Sequence, residues 1–153
     1  MEHICQGVCL WRIFLRMGRT AKTFDLAQMF AAFSDRTRLR LLNLMNGREV
    51  CVCYFVEILG QSQPKISRHL AYLRSAGIVS ARREGKWMHY RIVMPPHIGA
   101  SQILRQTLDS FRDEKAMQAD RARLAKACCS PARYALDGAP LPAAASEPCC
   151  EVC

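Results

Sequence analysis

"QSQPKISRHLAYLRSAGIVSARREGKWMHYRIV", residues 61–93, carries two patterns in succession. Gly60 stops a preceding helix, and Gly60 to Gln63 makes a tight turn, with Ser62 as N-cap and Pro64 tolerated in the first turn of the next helix. In that helix Ile66, Leu70 and Leu73 fall on one face at i, i+4 and i+7. Pro64, Lys65, Arg68, Ala71 and Tyr72 fall opposite, with His69 at the margin. A helix-turn-helix needs this division: an apolar underside docked on the preceding helix and a flat, basic, polar face that enters a major groove. The segment then changes period. "GIVSARREGKWMHYRIV" reads as a strand, a Glu84-Gly85 turn and a second strand alternating Met88, Tyr90, Ile92 against Trp87, His89, Arg91. A β-hairpin after a helix-turn-helix, with Arg82, Arg83 and Lys86 at its tip, is a winged-helix layout whose wing meets phosphates or the minor groove.

Upstream, Phe24, Ala27, Met29, Phe30, Ala31 and Phe33 mark a short helix, and Ser34 caps a second one carrying Leu39, Leu42 and Met45 and ending at Asn46-Gly47. A third helix is expected from Val50 to Leu59. Downstream, His97 to Ala127, with Ile98, Ile103, Leu104, Leu108 and Phe111, reads as a terminal helix. A single copy offers that stripe little to pack on, so pairing with a second copy is expected, with the two-fold symmetry that reads a palindrome. The expected fold is therefore mainly α with a β-hairpin wing: a homodimeric winged helix-turn-helix. A mobile arm (1–20) precedes a DNA-binding and dimerisation domain (21–127), and a flexible cysteine-containing tail (128–153) follows it.

Length and charge agree with one domain plus tails. The chain has 153 residues, a net charge of +9 and a pI near 9.4, which suits nucleic acid or an anionic membrane surface. Between Ser62 and Arg91 seven basic residues (Lys65, Arg68, Arg74, Arg82, Arg83, Lys86, Arg91) stand against Glu84 alone, so the motif carries +6 of the +9. That focus favours DNA over a membrane. Residues 4–17 are apolar, but Arg12 and Arg16 interrupt them and no small-residue cleavage site follows, so a cytoplasmic chain without a transmembrane span is expected. Serine-hydrolase, phosphate-loop and paired-carboxylate signatures are absent, and no enzyme activity is expected.

The nine cysteines (Cys5, Cys9, Cys51, Cys53, Cys128, Cys129, Cys149, Cys150, Cys153) are odd in number and clustered. Such spacing suits metal or metalloid capture in a reducing compartment better than a disulfide scaffold. Cys51 and Cys53 open the helix that props the groove-facing one. On an ideal helix residues i and i+2 point about 200° apart, whereas two sulfurs bound to one ion at about 2.3 Å approach to roughly 3.5–4 Å. Cys51 and Cys53 therefore cannot chelate one ion while the first turn is regular, so ligand binding must unwind or tilt that turn and compete with DNA-competent geometry. A bare Cys-x-Cys can otherwise be two small buried apolar residues. A thiol oxidoreductase normally wants Cys-x-x-Cys at a strand-to-helix junction, and a metal chaperone leaves the basic wing unexplained.

"EVCVCYF", "QSQPKISRHLAYLRSAGIV" and "REGKWMHYRI" resemble the arsenic-responsive repressors of the ArsR/SmtB family over residues 24 to 127. The resemblance implies a dimeric repressor of a resistance operon that leaves an imperfectly palindromic duplex operator when trivalent arsenic or antimony binds Cys51 and Cys53. It puts Ser62, Gln63, Lys65, Ser67, Arg68 and His69 at the groove and Arg82, Arg83 and Lys86 at the wing. Two departures matter: Val56 stands where the best-known arsenic site has a third cysteine, and Tyr54 replaces an acidic residue. Trivalent arsenic wants three soft ligands, and Cys128 or Cys129 is the expected donor. Behind them come the terminal Cys149, Cys150 and Cys153, and Cys5 with Cys9, a pair resembling the arm of cadmium- and lead-sensing relatives. Cadmium, lead or zinc is thus the alternative inducer. The Asp and His pattern of zinc sensors is not visible on the last helix, where His97 is expected to cap or face solvent.

Overall fold

The computed structural model describes residues 24–134, 136 and 138–144. The arm (1–20) and Cys5, Cys9, Cys149, Cys150 and Cys153 lie outside the described residues. Helix α1, Leu26–Phe33, starts on Asp25, whose carboxylate accepts the N–H groups of Ala27 and Gln28. Helix α2, Arg36–Met45, starts on Asp35, whose Oδ1 accepts the Arg38 N–H at 2.9 Å. The cap expected on Ser34 therefore falls one residue later. Ser34 instead closes α1, donating its hydroxyl to the Ala31 carbonyl.

The helix expected from Val50 is in part a strand. Gly47, at φ 75°, reverses the chain after α2. Strand β1, Arg48–Cys51, then pairs antiparallel with the second strand of the hairpin, Trp87–Ile92. Only at Val52 does helix α3, Val52–Leu59, begin, and Gly60 ends it in the left-handed conformation. Pairing partners some forty residues downstream decide this, with Val50 opposite Tyr90 and Cys51 opposite His89. Helix α4, Gln63–Ser75, follows, then β2, Val79–Glu84, and β3, Trp87–Ile92, in full register from Val79 opposite Ile92 to Glu84 opposite Trp87. With β4, Ala143–Ala144, the strand order is β2-β3-β1-β4.

The core lies between these layers. Tyr54 and Phe55 of α3, Leu41, Leu42 and Leu44 of α2, Ile66, Leu70 and Leu73 of α4, and Ile78 are all buried. Phe55 meets Tyr90 of β3 with ring centroids 6.3 Å apart. The docked helix-turn-helix and the sheet thus share one core.

The terminal helix is two helices. Helix α5, Ile98–Ser110, is capped by His97, whose ring nitrogen accepts the Ala100 N–H. A turn at Phe111 to Glu114 leads into α6, Lys115–Cys129, which folds back onto α2 and α3 of its own chain. Asp120, almost fully buried, receives a two-pronged contact from Arg40, Nε at 2.6 Å and Nη2 at 2.7 Å. Beside it Asn43 donates to the Met117 carbonyl and accepts from Arg121 Nε. Ala100, Leu104, Leu108, Phe111, Met117 and Leu124 are buried within one chain, so most of the stripe is covered without a second copy, while Ile98 stays 77% exposed. Cys128 and Cys129 belong to the last turn of α6 rather than to a tail. A 3-10 turn, Pro131–Tyr134, and the pairing of Ala143–Ala144 with β1 continue the fold beyond them.

The Arg40–Asp120 contact should be the main clasp on α6. Asp120→Ala leaves the partly exposed Arg40 guanidinium without its carboxylate and is expected to cost about 3 kcal/mol, the lower part of the range for breaking a buried pair. The urea midpoint measures it. A loss below about 0.5 kcal/mol, typical of a surface substitution, would contradict the clasp.

Candidate nucleic-acid interface and thiol site

Helix α4 turns Ile66, Leu70 and Leu73 inward and leaves Ser62, Gln63, Pro64, Lys65, Arg68, Ala71 and Tyr72 exposed, with Ser67 half-buried. Ser62 occupies the N-cap position without a side-chain capping bond, so its hydroxyl is not committed to the helix end. The outer face is held in place from behind. Arg38 donates to the Ala31 and Ala32 carbonyls and sits 4.3 Å from the Tyr72 ring centroid, and Gln28 of α1 donates to Ser75. His69 is the exception among the expected groove residues. Its Nδ1 lies 3.4 Å from Asp35 Oδ1, the cap of α2, so its ring is directed toward the protein.

The wing's three expected cations differ. Lys86 is exposed, with its ammonium 4.9 Å from the Trp87 ring centroid. Arg83 is exposed and donates to the Gly85 carbonyl. Arg82 is instead braced between carboxylates, donating to Glu49 of β1 at 2.6 and 3.0 Å and to Glu84 at 2.7 Å. The hydrogen bond it donates, together with its charge, holds the Glu84 carboxyl below the usual range. Arg82 therefore ties the hairpin to β1, which a reading of the wing alone misses. Glu49 lies 33 positions away, and no pattern local to the hairpin points to it. His89, on the row of Trp87 and Arg91, is buried, with its nitrogens 3.9 Å from Glu49 and 3.8 Å from Glu84.

The thiol pair departs most from expectation. Cys51 is the extended N-cap residue of α3, at φ −70° and ψ 146°, and Cys53 lies in the first helical turn. The 200° separation of two helical residues does not apply, and the two sulfurs stand 2.9 Å apart with Cys53 S–H donating to Cys51. No unwinding is required to bring them together. That donated proton, helped by the backbone N–H groups of Cys53, Met88 and Val52, lowers the Cys51 thiol from its ordinary value to about 7 against the opposing effect of burial. Cys53 moves upward because it keeps its proton against the Cys51 anion and is itself partly buried. Among the described residues no third Cys, His, Asp or Glu joins the pair in a metal-sized cluster. Cys128 is buried in α6 and Cys129 is disulfide-bonded. Val56, one turn beyond Cys53, offers only carbon.

A helix-turn-helix whose second helix shows a basic face, flanked by a two-stranded charged wing, defines a winged helix-turn-helix DNA-binding regulator. Residues 35–81 match the family model described as "Bacterial regulatory protein, arsR family". The chain is 42% identical over 106 residues to the arsenical resistance operon repressor of Escherichia coli K12, covering 67% of this chain and 87% of that one. It is 38% identical over 99 residues to the arsenic resistance transcriptional regulator ArsR1 of Pseudomonas putida, covering 64% of this chain and 76% of the relative. The solved structure of HlyU from Vibrio cholerae superposes with a TM-score of 0.50 at 23% identity, over 57% of this chain and 91% of that one, and supports the fold alone. The chain belongs to the arsR family of bacterial regulatory proteins, a family of DNA-binding repressors rather than enzymes. Among the described residues no helix is long and apolar enough to cross a membrane.

The proton shared by the sulfurs has a measurable consequence. In the folded protein the thiolate ultraviolet absorbance that is lost in Cys51→Ser should rise through pH about 7. Cys53→Ala removes the donor, so the rise at Cys51 should move toward the ordinary cysteine value. An unchanged pH profile in the variant would show that Cys53 does not supply the proton.

Proposed function

We propose that this protein is a homodimeric repressor of an arsenic-resistance operon, released from an imperfectly palindromic operator when arsenite, or trivalent antimony, binds Cys51 and Cys53. One observation carries the reading: two sulfurs in contact at the start of the helix that supports the groove-facing helix. The names of the relatives in E. coli and P. putida agree with it. Dimerisation is supported by the apolar residues left uncovered on α1 and at the start of α5, where Leu26, Phe30 and Ile98 are exposed.

Trivalent arsenic enters as its hydroxide, and each thiol replaces one hydroxyl, the thiol proton leaving with it as water. Two As–S bonds of about 2.3 Å spread the sulfurs from 2.9 Å toward roughly 3.5 Å. The third sulfur is proposed to come from the C-terminal segment. Cys128 and Cys129 are the first candidates, once the bond at Cys129 is reduced. Cys149, Cys150 and Cys153 are the others, because Ala143–Ala144 pairs with Arg48 and Glu49 and so tethers the chain beside β1. Cys149 follows Ala144 by five residues, a reach of about 17 Å when extended. Recruiting that sulfur pulls α3 as a body, and α3 packs directly on α4. A shift of 1–2 Å between packed helices is enough to spoil a groove fit. A cadmium-, lead- or zinc-responsive repressor completed by Cys5 and Cys9 is the second reading. It is favoured by 36% identity over 69 residues to the cadmium resistance regulator CadC homologue of Staphylococcus aureus.

On DNA, Lys65, Arg68, Gln63, Ser62 and Ser67 are proposed for the major groove, with His69 at its edge. Arg83 and Lys86 are proposed for phosphates, and Arg82 acts by holding the wing. Arg68→Ala should weaken specific binding by roughly 1–3 kcal/mol and relax discrimination, whereas Lys86→Ala should weaken all sequences alike. Intact discrimination in Arg68→Ala would move the recognition face elsewhere. The inducer test is an operator shift assay with arsenite or cadmium on the wild type and on the double Cys51→Ser, Cys53→Ser variant. Arsenite should release the wild type and leave the variant bound. Release by cadmium alone, abolished by Cys5→Ser with Cys9→Ser, would establish the second reading. X-ray absorption of the arsenic-loaded chain should count three sulfurs, falling to two when all five C-terminal cysteines are serine. Three sulfurs surviving that change would exclude the C-terminal donor.

A further inference from the structure

The contact between the two sulfurs suits a second reaction. We propose that Cys51 and Cys53 also form a hydroperoxide-operated lock: oxidation to an intramolecular disulfide keeps the repressor on DNA and removes its inducer site. This rests on the inducer reading above and adds to it the state in which the protein cannot respond.

Three features carry the inference. The sulfurs are 2.9 Å apart, so closing to the disulfide length of about 2.05 Å needs about 0.9 Å of relative movement. Cys51 is fully buried whereas Cys53 is partly exposed, so a small peroxide meets Cys53 first. The Cys53 S–H is already directed at Cys51, which gives the proton a route at the moment of attack.

The chemistry balances. In the less populated arrangement, with the shared proton shifted from Cys53 onto the Cys51 anion, the more exposed Cys53 thiolate attacks one peroxide oxygen. The O–O bond breaks, giving a sulfenic acid on Cys53 and a hydroxide, which takes the proton from Cys51 to leave as water. The Cys51 thiolate then attacks the Cys53 sulfur, the S–S bond forms, the S–O bond breaks and hydroxide departs. Two electrons leave the sulfur pair and reduce the hydroperoxide.

The two ligands should have opposite effects on DNA. Arsenic spreads the sulfurs and draws in a third, which moves α3. A disulfide draws them together over less than an ångström, recruits nothing and leaves the outward face of α4 untouched. The oxidised pair has no thiol left to exchange with arsenic, so arsenite has no purchase until a dithiol reductant reopens the bond. Cys128, buried in α6, is not positioned for the same reaction with this pair.

The test uses the full-length chain, reduced, desalted and exposed to hydrogen peroxide. Tryptic digestion should yield the Glu49 to Lys65 peptide resistant to alkylation and about 2 mass units lighter, as loss of two hydrogens requires. The same sample should shift the operator as the reduced protein does, lose its release by arsenite, and regain it after reduction with dithiothreitol followed by removal of that dithiol, which itself binds arsenite. Cys51→Ser should accumulate a dimedone-reactive sulfenic acid on Cys53, and Cys53→Ser should leave the buried Cys51 unoxidised. The proposal is overturned if the wild-type peptide still takes two alkyl groups, if peroxide alone releases DNA, or if the disulfide form answers arsenite at the same concentration as the reduced form. Should arsenite fail to release even the reduced protein, the inducer reading falls and the lock with it, while the mass shift still reports the disulfide.

Discussion

The pairing of β1 with β3 is the constraint on which the site depends. Because Cys51 lies opposite His89 in an antiparallel ladder, it is held extended up to the residue where α3 begins. An extended residue followed by a helical turn returns the side chain two positions on toward the first, and the sulfurs meet. The same ladder delivers the Met88 N–H to the Cys51 sulfur and brings Glu49 within reach of Arg82. One short strand therefore fixes the thiol pair, its ionisation and the angle of the wing. Were Cys51 helical, the pair would point apart and the hairpin would lose its brace.

The parts legible in the sequence were those whose cause is local. Ile66, Leu70 and Leu73 bury because helical spacing puts them together, and Gly60 and Gly85 stop and turn the chain because of their own backbone freedom. The basic face of α4 and the hairpin follow from the same short-range pattern, and they were enough to reach a DNA-binding regulator. What was missed depends on distant partners. The first residues of the expected third helix became a strand because Tyr90 and His89 pair with them. Arg82 looked like a phosphate contact until Glu49 came into position beside it. The expected single terminal helix is two because residues 115–129 find distant partners: Asp120 and the Met117 carbonyl meet Arg40 and Asn43 across more than seventy residues. For the candidate site, the identities of Cys51 and Cys53 were readable, but their geometry was not.

The fold-back also changes what the C-terminal segment does. Helix α6 lies on α2 and α3, and Ala143–Ala144 adds an edge to β1, so the segment touches both elements that converge on the thiols. A tail tethered in this way has a high effective concentration at the site without a fixed third ligand. A two-residue strand is weak enough to be rearranged when a metalloid draws a sulfur toward it. On the proposed reading the division of labour is simple: α4 and the wing would meet DNA, the strand-to-helix junction would sense, and the C-terminal segment would report the difference between two sulfurs and three.

Preassembly of the sulfurs is tested most directly by amide hydrogen exchange at Val56 and Glu57, whose N–H groups bond to the carbonyls of Val52 and Cys53 in the regular first turn of α3. Preassembly predicts that adding arsenite to the reduced protein leaves these two amides at least as protected as before, while the operator is released. A fall in their protection toward that of an open chain on arsenite binding would show that the first turn unwinds to bring the sulfurs together, and would contradict it.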